Sequence, residues 1–202
     1  MKNLKTLLLA IISGFAIGIG GVIYLTLENK VIGALMFTVG LYTIVAHGLN
    51  LFTGKIGYIV DNKLDYIKDL IIIWIGNFIG TWISAQMILL TRVNGISEVA
   101  KSICETKCND SLISLFILGI YCGFLMFVAV DGYKKLNNPI ILFMGVATFI
   151  LCGFEHCIAD MFYFSLSGMW SIQSILMILV ITLGNSVGSI FIPLVRKIKT
   201  EN

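Results

Sequence analysis

A glutamate, a histidine and an aspartate fall within six consecutive positions in Glu155-His156-Cys157-Ile158-Ala159-Asp160, inside an otherwise hydrocarbon-like stretch. Residues 140–151 before them and 162–166 after them are strongly apolar. An imidazole titrates near neutral pH, so His156 could donate a hydrogen bond or exchange a proton in such a place. Ionisable groups at bilayer depth cost roughly 2.5–3.5 kcal/mol each and therefore face a bundle interior or a water-filled cavity. Gly153 just ahead suits a chain that leaves helical geometry there. The spacing points to a polar site within a membrane.

Other chemistries are not supported. The two histidines, His47 and His156, are 109 residues apart, with no His-Glu-x-x-His zinc motif and no Gly-x-Ser-x-Gly elbow. No enzyme activity, metal or cofactor is expected, and His47 reads as a helix-end or loop hydrogen-bonder. Of the five cysteines, Cys122, Cys152 and Cys157 read as small buried hydrophobes. Cys104 and Cys108 have the i,i+4 spacing that suits a disulfide poorly. The 14 basic residues against 11 acidic ones are dispersed among loops, which excludes a nucleic-acid partner. Lys55, Lys63 and Lys68 alternate with Asp61 and Asp65, the pattern of a solvated loop face.

The chain is 58% hydrophobic and 12% charged, against about 25% charged in soluble domains. Six apolar runs of spanning length place it among polytopic membrane proteins as one domain over 1–202. The expected spans are 4–27, 31 to about 54, 70–90, 111–130, 140–166 and 172–195. The second is interrupted at His47-Gly48-Leu49-Asn50 and the fifth at Gly153. Residues 91–110 are polar enough to lie outside the bilayer. No cleavable signal is evident at the first span. With both termini inside, ten basic residues fall on the cytoplasmic side and four (Lys30, Arg92, Lys101 and Lys107) on the other. That bias predicts cytoplasmic termini in a multi-pass protein of the cell membrane.

The chain also repeats itself. Gly76-Asn77-Phe78-Ile79-Gly80 in the third span matches Gly184-Asn185-Ser186-Val187-Gly188 in the sixth, a spacing of 108 residues. Gly14 and Gly18 match Gly119 and Gly123 at a spacing of 105, and Gly48 matches Gly153 at the same spacing. Three spans per repeat, an odd number, predicts halves of opposite topology over about 1–91 and 109–197. The fold class expected is therefore an all-α membrane protein of six helices in an inverted 3+3 repeat, with helices 2 and 5 broken. Such repeats place a transport site near the midplane. One reading compatible with this is an aquaporin-like channel for a small neutral solute, although the paired Asn-Pro-Ala is missing and prolines occur only at 139 and 193.

Over nearly its whole length the sequence resembles the formate/nitrite transporter (FNT) family. Gly153-Phe154-Glu155-His156 with Ile158-Ala159 is similar to one family signature, and Phe37, Gly40, Leu41 and Leu51-Phe52-Thr53-Gly54 to another. The two Gly-Asn-x-x-Gly motifs, which would pack helices, belong to the same pattern. The resemblance implies an aquaporin-like homopentamer with one pore per protomer, passing small monovalent anions or their acids such as formate, nitrite or hydrosulfide. His156 would be the central pore histidine, able to exchange a proton, with Thr53 its loop partner. Lys107 would pair with Glu155. Phe37 and Phe149 would narrow the pore on the outer side, and Leu41, Leu51 and Phe52 on the inner side. The chain departs from the family at Asp160, Gly123 and Asn50, where asparagine, asparagine and an acidic residue are usual, and it has little sequence ahead of the first span. Asp160 would add a second carboxylate to the charge network of Lys107 and Glu155.

Overall fold

The computed structural model describes residues 2–200, and every regular element among them is helical. Met1, Glu201 and Asn202, at the ends of the single domain expected over 1–202, lie outside them. In order the helices are α1 (Lys2–Thr26), α2 (Lys30–Ala46), α3 (Phe52–Lys55), α4 (Asp65–Leu89), α5 (Ile96–Cys108), α6 (Leu112–Leu136), α7 (Ile140–Leu151), α8 (Cys157–Ser167) and α9 (Ile172–Thr200). A 3-10 turn, Ile56–Asp61, follows α3. Four helices, α1, α4, α6 and α9, are long and apolar enough to cross a bilayer. Twenty-five residues reach about 37 Å, more than a hydrocarbon core of about 30 Å. The apolar helices α2, α7 and α8 are shorter, at 17, 12 and 11 residues.

Helix ends follow local chemistry. The Asn29 side chain accepts from the Val31 and Ile32 N–H groups to start α2, and Ser111 accepts from Ser114 to start α6. Helix α4 begins before the expected Leu70 and α6 continues past Val130, because their charged ends extend into water without breaking the helix. The stretch 91–110, expected only to lie outside the bilayer, contains the amphipathic helix α5. Its buried Ile96, Ala100 and Cys104 recur every four residues, and it packs on α8. All five cysteines are free thiols, and Cys122 and Cys157 are buried. Cys152 is exposed, contrary to expectation, because it caps α7 where the chain turns out of the helix.

Helix α1 packs along α4, and α6 along α9, with glycines at the contacts. A Cβ at Gly14 would strike the Asn77 backbone, and one at Gly123 the Asn185 backbone. Gly80 lies against the Ile11 carbonyl as Gly188 does against that of Ile120, and Gly76 lies against Leu7 as Gly184 does against Phe116. These partners are 109 residues apart in α1 and α6, so Gly14 corresponds to Gly123. The expected match of Gly14 with Gly119 is one helical turn out of register. Glycines four apart look alike in sequence, and only the contacts separate them. The Trp74 indole N–H donates to Thr182 Oγ1 at 3.1 Å, joining the residues that lead the two Gly-Asn motifs.

Helices α2 and α7 end in the same way. Gly48 and Gly153 have φ of 62° and 69°, which glycine adopts without a Cβ penalty. The Leu49 and Phe154 N–H groups each reach back 2.8 Å to the carbonyls of Ile44 and Phe149. The chain beyond each break hangs on one asparagine. Asn77 Nδ2 donates to the carbonyls of Ala10 and Asn50, each at 2.8 Å, and its Oδ1 accepts from Phe52 N–H at 2.9 Å. Asn185 Nδ2 donates to the carbonyls of Gly119 (2.8 Å) and Glu155 (2.7 Å), and its Oδ1 accepts from Cys157 N–H at 2.9 Å.

Replacing either asparagine by alanine leaves two backbone groups of the segment beyond the break unpaired, since the long-helix carbonyl of Ala10 or Gly119 keeps its own helix bond. At about 1–3 kcal/mol each, Asn77→Ala or Asn185→Ala should lose on the order of 3 kcal/mol or more. Thr38→Val is the control, because its buried hydroxyl has no partner among the described residues; removing it should not lower stability. Unfolding midpoints in detergent would separate the two classes.

Candidate functional site

His156 occupies the residue just before α8 and caps that helix with its own ring, Nδ1 accepting from Ala159 N–H at 3.1 Å. A nitrogen that accepts carries no proton, so the neutral ring bears its hydrogen on Nε2. Nε2 lies 2.9 Å from Thr53 Oγ1, so this bond runs from histidine to threonine. The Thr53 hydroxyl keeps its own proton for donation elsewhere. Thr53 is wholly buried and His156 nearly so. The Phe149 ring stacks on the imidazole at 5.4 Å between centroids, and Phe37 meets Phe149 edge-on at 6.2 Å.

Two cavities flank this pair. One of about 240 Å³ is bounded by His156, Phe149, Tyr24, Tyr163 and the charged trio described below. The other, about 50 Å³, is bounded by Leu41, Leu51, Gly48, Lys55 and Lys134 and faces the end of the molecule that carries Lys2 and α9's last turn. Phe37, Leu41 and Leu51 are each 1% exposed, so the segment between the cavities is closed. Phe52 stands apart, lining a groove with Ile56, Leu70 and Trp74 rather than either cavity. Tyr24, Tyr163 and Lys134 were not singled out from the sequence. The tyrosines sit in apolar runs without a local signal, and Lys134 reads there as a span-ending charge.

The trio gathers from two elements. Lys107, in the last turn of α5, forms ion pairs with Glu155 and with Asp160, the latter at 3.0 Å. Glu155 is held by its backbone, whose N–H reaches the Leu118 carbonyl and whose carbonyl accepts from Asn185. Asp160 is in the first turn of α8, where its N–H bonds the His156 carbonyl at 2.9 Å. The Asp160 Oδ2 atom is buried with no partner among the described residues. Asn50 and Gly123, two further departures, serve structure: Asn50 Nδ2 donates to the Thr6 carbonyl at 3.3 Å, and Gly123 lies against Asn185. His47 is exposed at the end of α2, and its backbone N–H bonds the Thr43 carbonyl. Outside the spans, burial and then Asp131 push the Tyr58 phenol up to about 12, so it stays an O–H donor toward Asp131 at 3.4 Å.

Apolar helices of spanning length around two blind cavities define a polytopic α-helical membrane protein. The family model described as formate/nitrite transporter matches residues 1–197, and the chain belongs to that family. The formate channel FocA of Haemophilus influenzae is 29% identical over 153 residues, 66% of this chain and 52% of that protein. FocA of Escherichia coli K12 is 27% identical over 186 residues, 79% of this chain and 65% of that one. The chain thus spans between half and two thirds of the length of these relatives. A solved pentameric formate channel with formate bound matches with a TM-score of 0.86 at 25% identity, covering 100% of this chain and 98% of the other. An FNT family ion channel has the same fold, with a TM-score of 0.83 at 21% identity and coverage of 94% and 87%. These relatives are channels and transporters rather than enzymes.

One ammonium between two buried carboxylates is an arrangement whose members depend on each other. Lys107→Met leaves both carboxyls without a cation and should destabilise the fold by about 3–5 kcal/mol. Combining it with Glu155→Gln and Asp160→Asn should restore most of the loss. Unfolding midpoints of the single and triple variants test this, and equal losses would contradict it.

Proposed function

We propose that the chain is one protomer of a homopentameric channel for a small monovalent anion of the formate, nitrite and hydrosulfide class, or its weak acid. The observation that carries the proposal is the buried Nε2–H to Thr53 bond standing between two cavities that open toward opposite ends of the molecule. In this reading α2 with α3, and α7 with α8, are single crossings broken at Gly48 and Gly153. They complete an inverted 3+3 arrangement of six crossings with halves over about 1–91 and 109–197. The doubled hydrogen-bond set of Asn77 and Asn185 supports it. Both termini are cytoplasmic in a multi-pass protein of the cell membrane, in keeping with Lys2, Lys55, Lys134 and Arg196 sharing one end. Lipid and neighbouring protomers cover the exposed Leu, Ile and Trp side chains of the outer faces. The full-length match to a pentameric channel supports the assembly.

Phe37, Phe149, Leu41 and Leu51 form the constrictions and His156 with Thr53 the centre. An ion shedding water in this closed segment faces a large desolvation cost, which hydrogen-bond donors or neutralisation reduce. At rest the imidazole donates through Nε2 and leaves the Thr53 O–H for the passing anion. Delivering a proton requires more. His156 must first gain a proton at Nδ1, which takes away the acceptor of the buried Ala159 N–H, at about 1–3 kcal/mol. It can then release the Nε2 proton to the anion, leaving a neutral ring with its hydrogen on Nδ1. Return of the hydrogen to Nε2 restores the cap.

Flux into proteoliposomes checks this. Formate, nitrite and hydrosulfide should pass at least about tenfold faster than chloride, which does not protonate at these pH values. His156→Asn, which keeps a donor but cannot be protonated, should erase that preference. Equal wild-type rates for chloride and formate would remove proton exchange from the mechanism. Passage of water or a neutral solute without any anion would replace the anion channel by an aquaporin-like one.

A further inference from the structure

The two short helices that follow the breaks are built alike but charged oppositely. Leu51 stands before α3 and His156 before α8, and the fourth helical residues are Lys55 and Asp160. Each of these two lines the cavity beside its own break. No carboxylate lines the Lys55 cavity, which has Lys134 as its second charged residue. The Lys55 ammonium has no hydrogen bond or ion pair among the described residues. Lys134 donates to the Tyr58 hydroxyl at 3.2 Å and lies 4.5 Å from that ring's centroid. Asp131, three residues earlier, is occupied by Lys135 at 3.1 Å and Arg196 at 2.7 Å. At the opposite mouth Lys107 faces two carboxyls. Whether or not one of them holds a proton, that cavity has no net positive charge.

We infer that Lys55 and Lys134 form an anion-collecting site beneath Leu41 and Leu51, and that the pore is polarised along its axis toward the face bearing the termini. The inference rests on the channel function proposed above. Two ammonium groups at a narrow mouth with apolar walls raise the local anion concentration. A cavity of about 50 Å³ has room for a group of a few heavy atoms, and its two cations and lack of a carboxylate suit a small monovalent anion. At equal concentrations and zero voltage a passive pore carries equal flow both ways. Polarity is therefore read in the half-saturating concentration at each face.

The test measures initial formate uptake into right-side-out and inside-out membrane vesicles, their sidedness fixed by protease access to a tag after Asn202. Formate should half-saturate at a concentration at least about threefold lower at the terminus-bearing face. Lys134→Gln, an exposed substitution that keeps the packing, should raise that value and affect the other face less, as should Lys55→Gln. Asp160→Asn should lower the half-saturating concentration at the Lys107 face. Added impermeant salt should shrink the difference, since screening acts within about 8 Å at physiological strength. Equal half-saturation at both faces, or lysine variants that behave as wild type, would overturn the polarity and leave the channel standing. Absence of formate uptake in both vesicle types would overturn the formate channel and the polarity with it.

Discussion

A peptide group that leaves helical geometry inside hydrocarbon must find its hydrogen bonds within the protein, because no water is there to supply them. In this chain two side chains meet that demand. Asn77 and Asn185 each join a carbonyl of the neighbouring long helix, a carbonyl just past a break, and the first N–H of the short helix beyond it. A carboxamide is the group that can do this, offering two donors and an acceptor without charge. The glycines follow from the same need. Asn77 and Asn185 reach across only if the backbones are close, and Gly14 and Gly123 permit that approach. The position of Thr53 and of His156 is then a consequence of where the two short helices begin.

The ionisable groups sit on this scaffold under a second constraint. Lys107 comes from an extramembrane amphipathic helix, yet it ends buried between Glu155 and Asp160 because α5 lays its Ile96, Ala100 and Cys104 face on α8. Burying a pair of opposite charges roughly cancels against its desolvation, so this cluster does not exist for stability. In the proposed channel it would set the field at one mouth. His156 is held more rigidly than a mobile proton carrier would be, since both ring nitrogens are engaged. Any proton transfer must couple to release of the helix cap.

Much of this was legible in the residue order. Hydrocarbon-like runs marked the four long helices, and ionisable residues within such runs marked the candidate site. The Gly-Asn-x-x-Gly motifs pointed to the two asparagines, though their role read as packing; that they tie the breaks together needs the coordinates. The glycine register was misplaced by one turn because Gly14 and Gly18, like Gly119 and Gly123, offer the same spacing in either alignment. Helix α5 was missed because its apolar face is short and interrupted by charge. The direction of the His156 bond was hidden too, since it depends on Ala159 N–H, which is a backbone group. Phe52 illustrates the opposite limit. A residue beside Thr53 in sequence points to the other side of a one-turn helix, into the groove with Leu70 and Trp74.

Similar backbones with unlike side chains give the two ends of the molecule different chemistry. Two helix ends, two glycines of positive φ and two asparagine cradles would by themselves make two equivalent ends. The chain breaks that equivalence along the short segments, among others with Asn50 against Glu155, Leu51 against His156, Thr53 against Ile158, and Lys55 against Asp160. Each exchange leaves the asparagine cradle untouched, because the cradle uses only main-chain atoms of the segment it holds. The side chains of the two segments can therefore differ while the cradle that holds each segment stays the same. The repeated part of the structure is the part that does not distinguish the two ends, and the side chains of the short segments are what tell them apart.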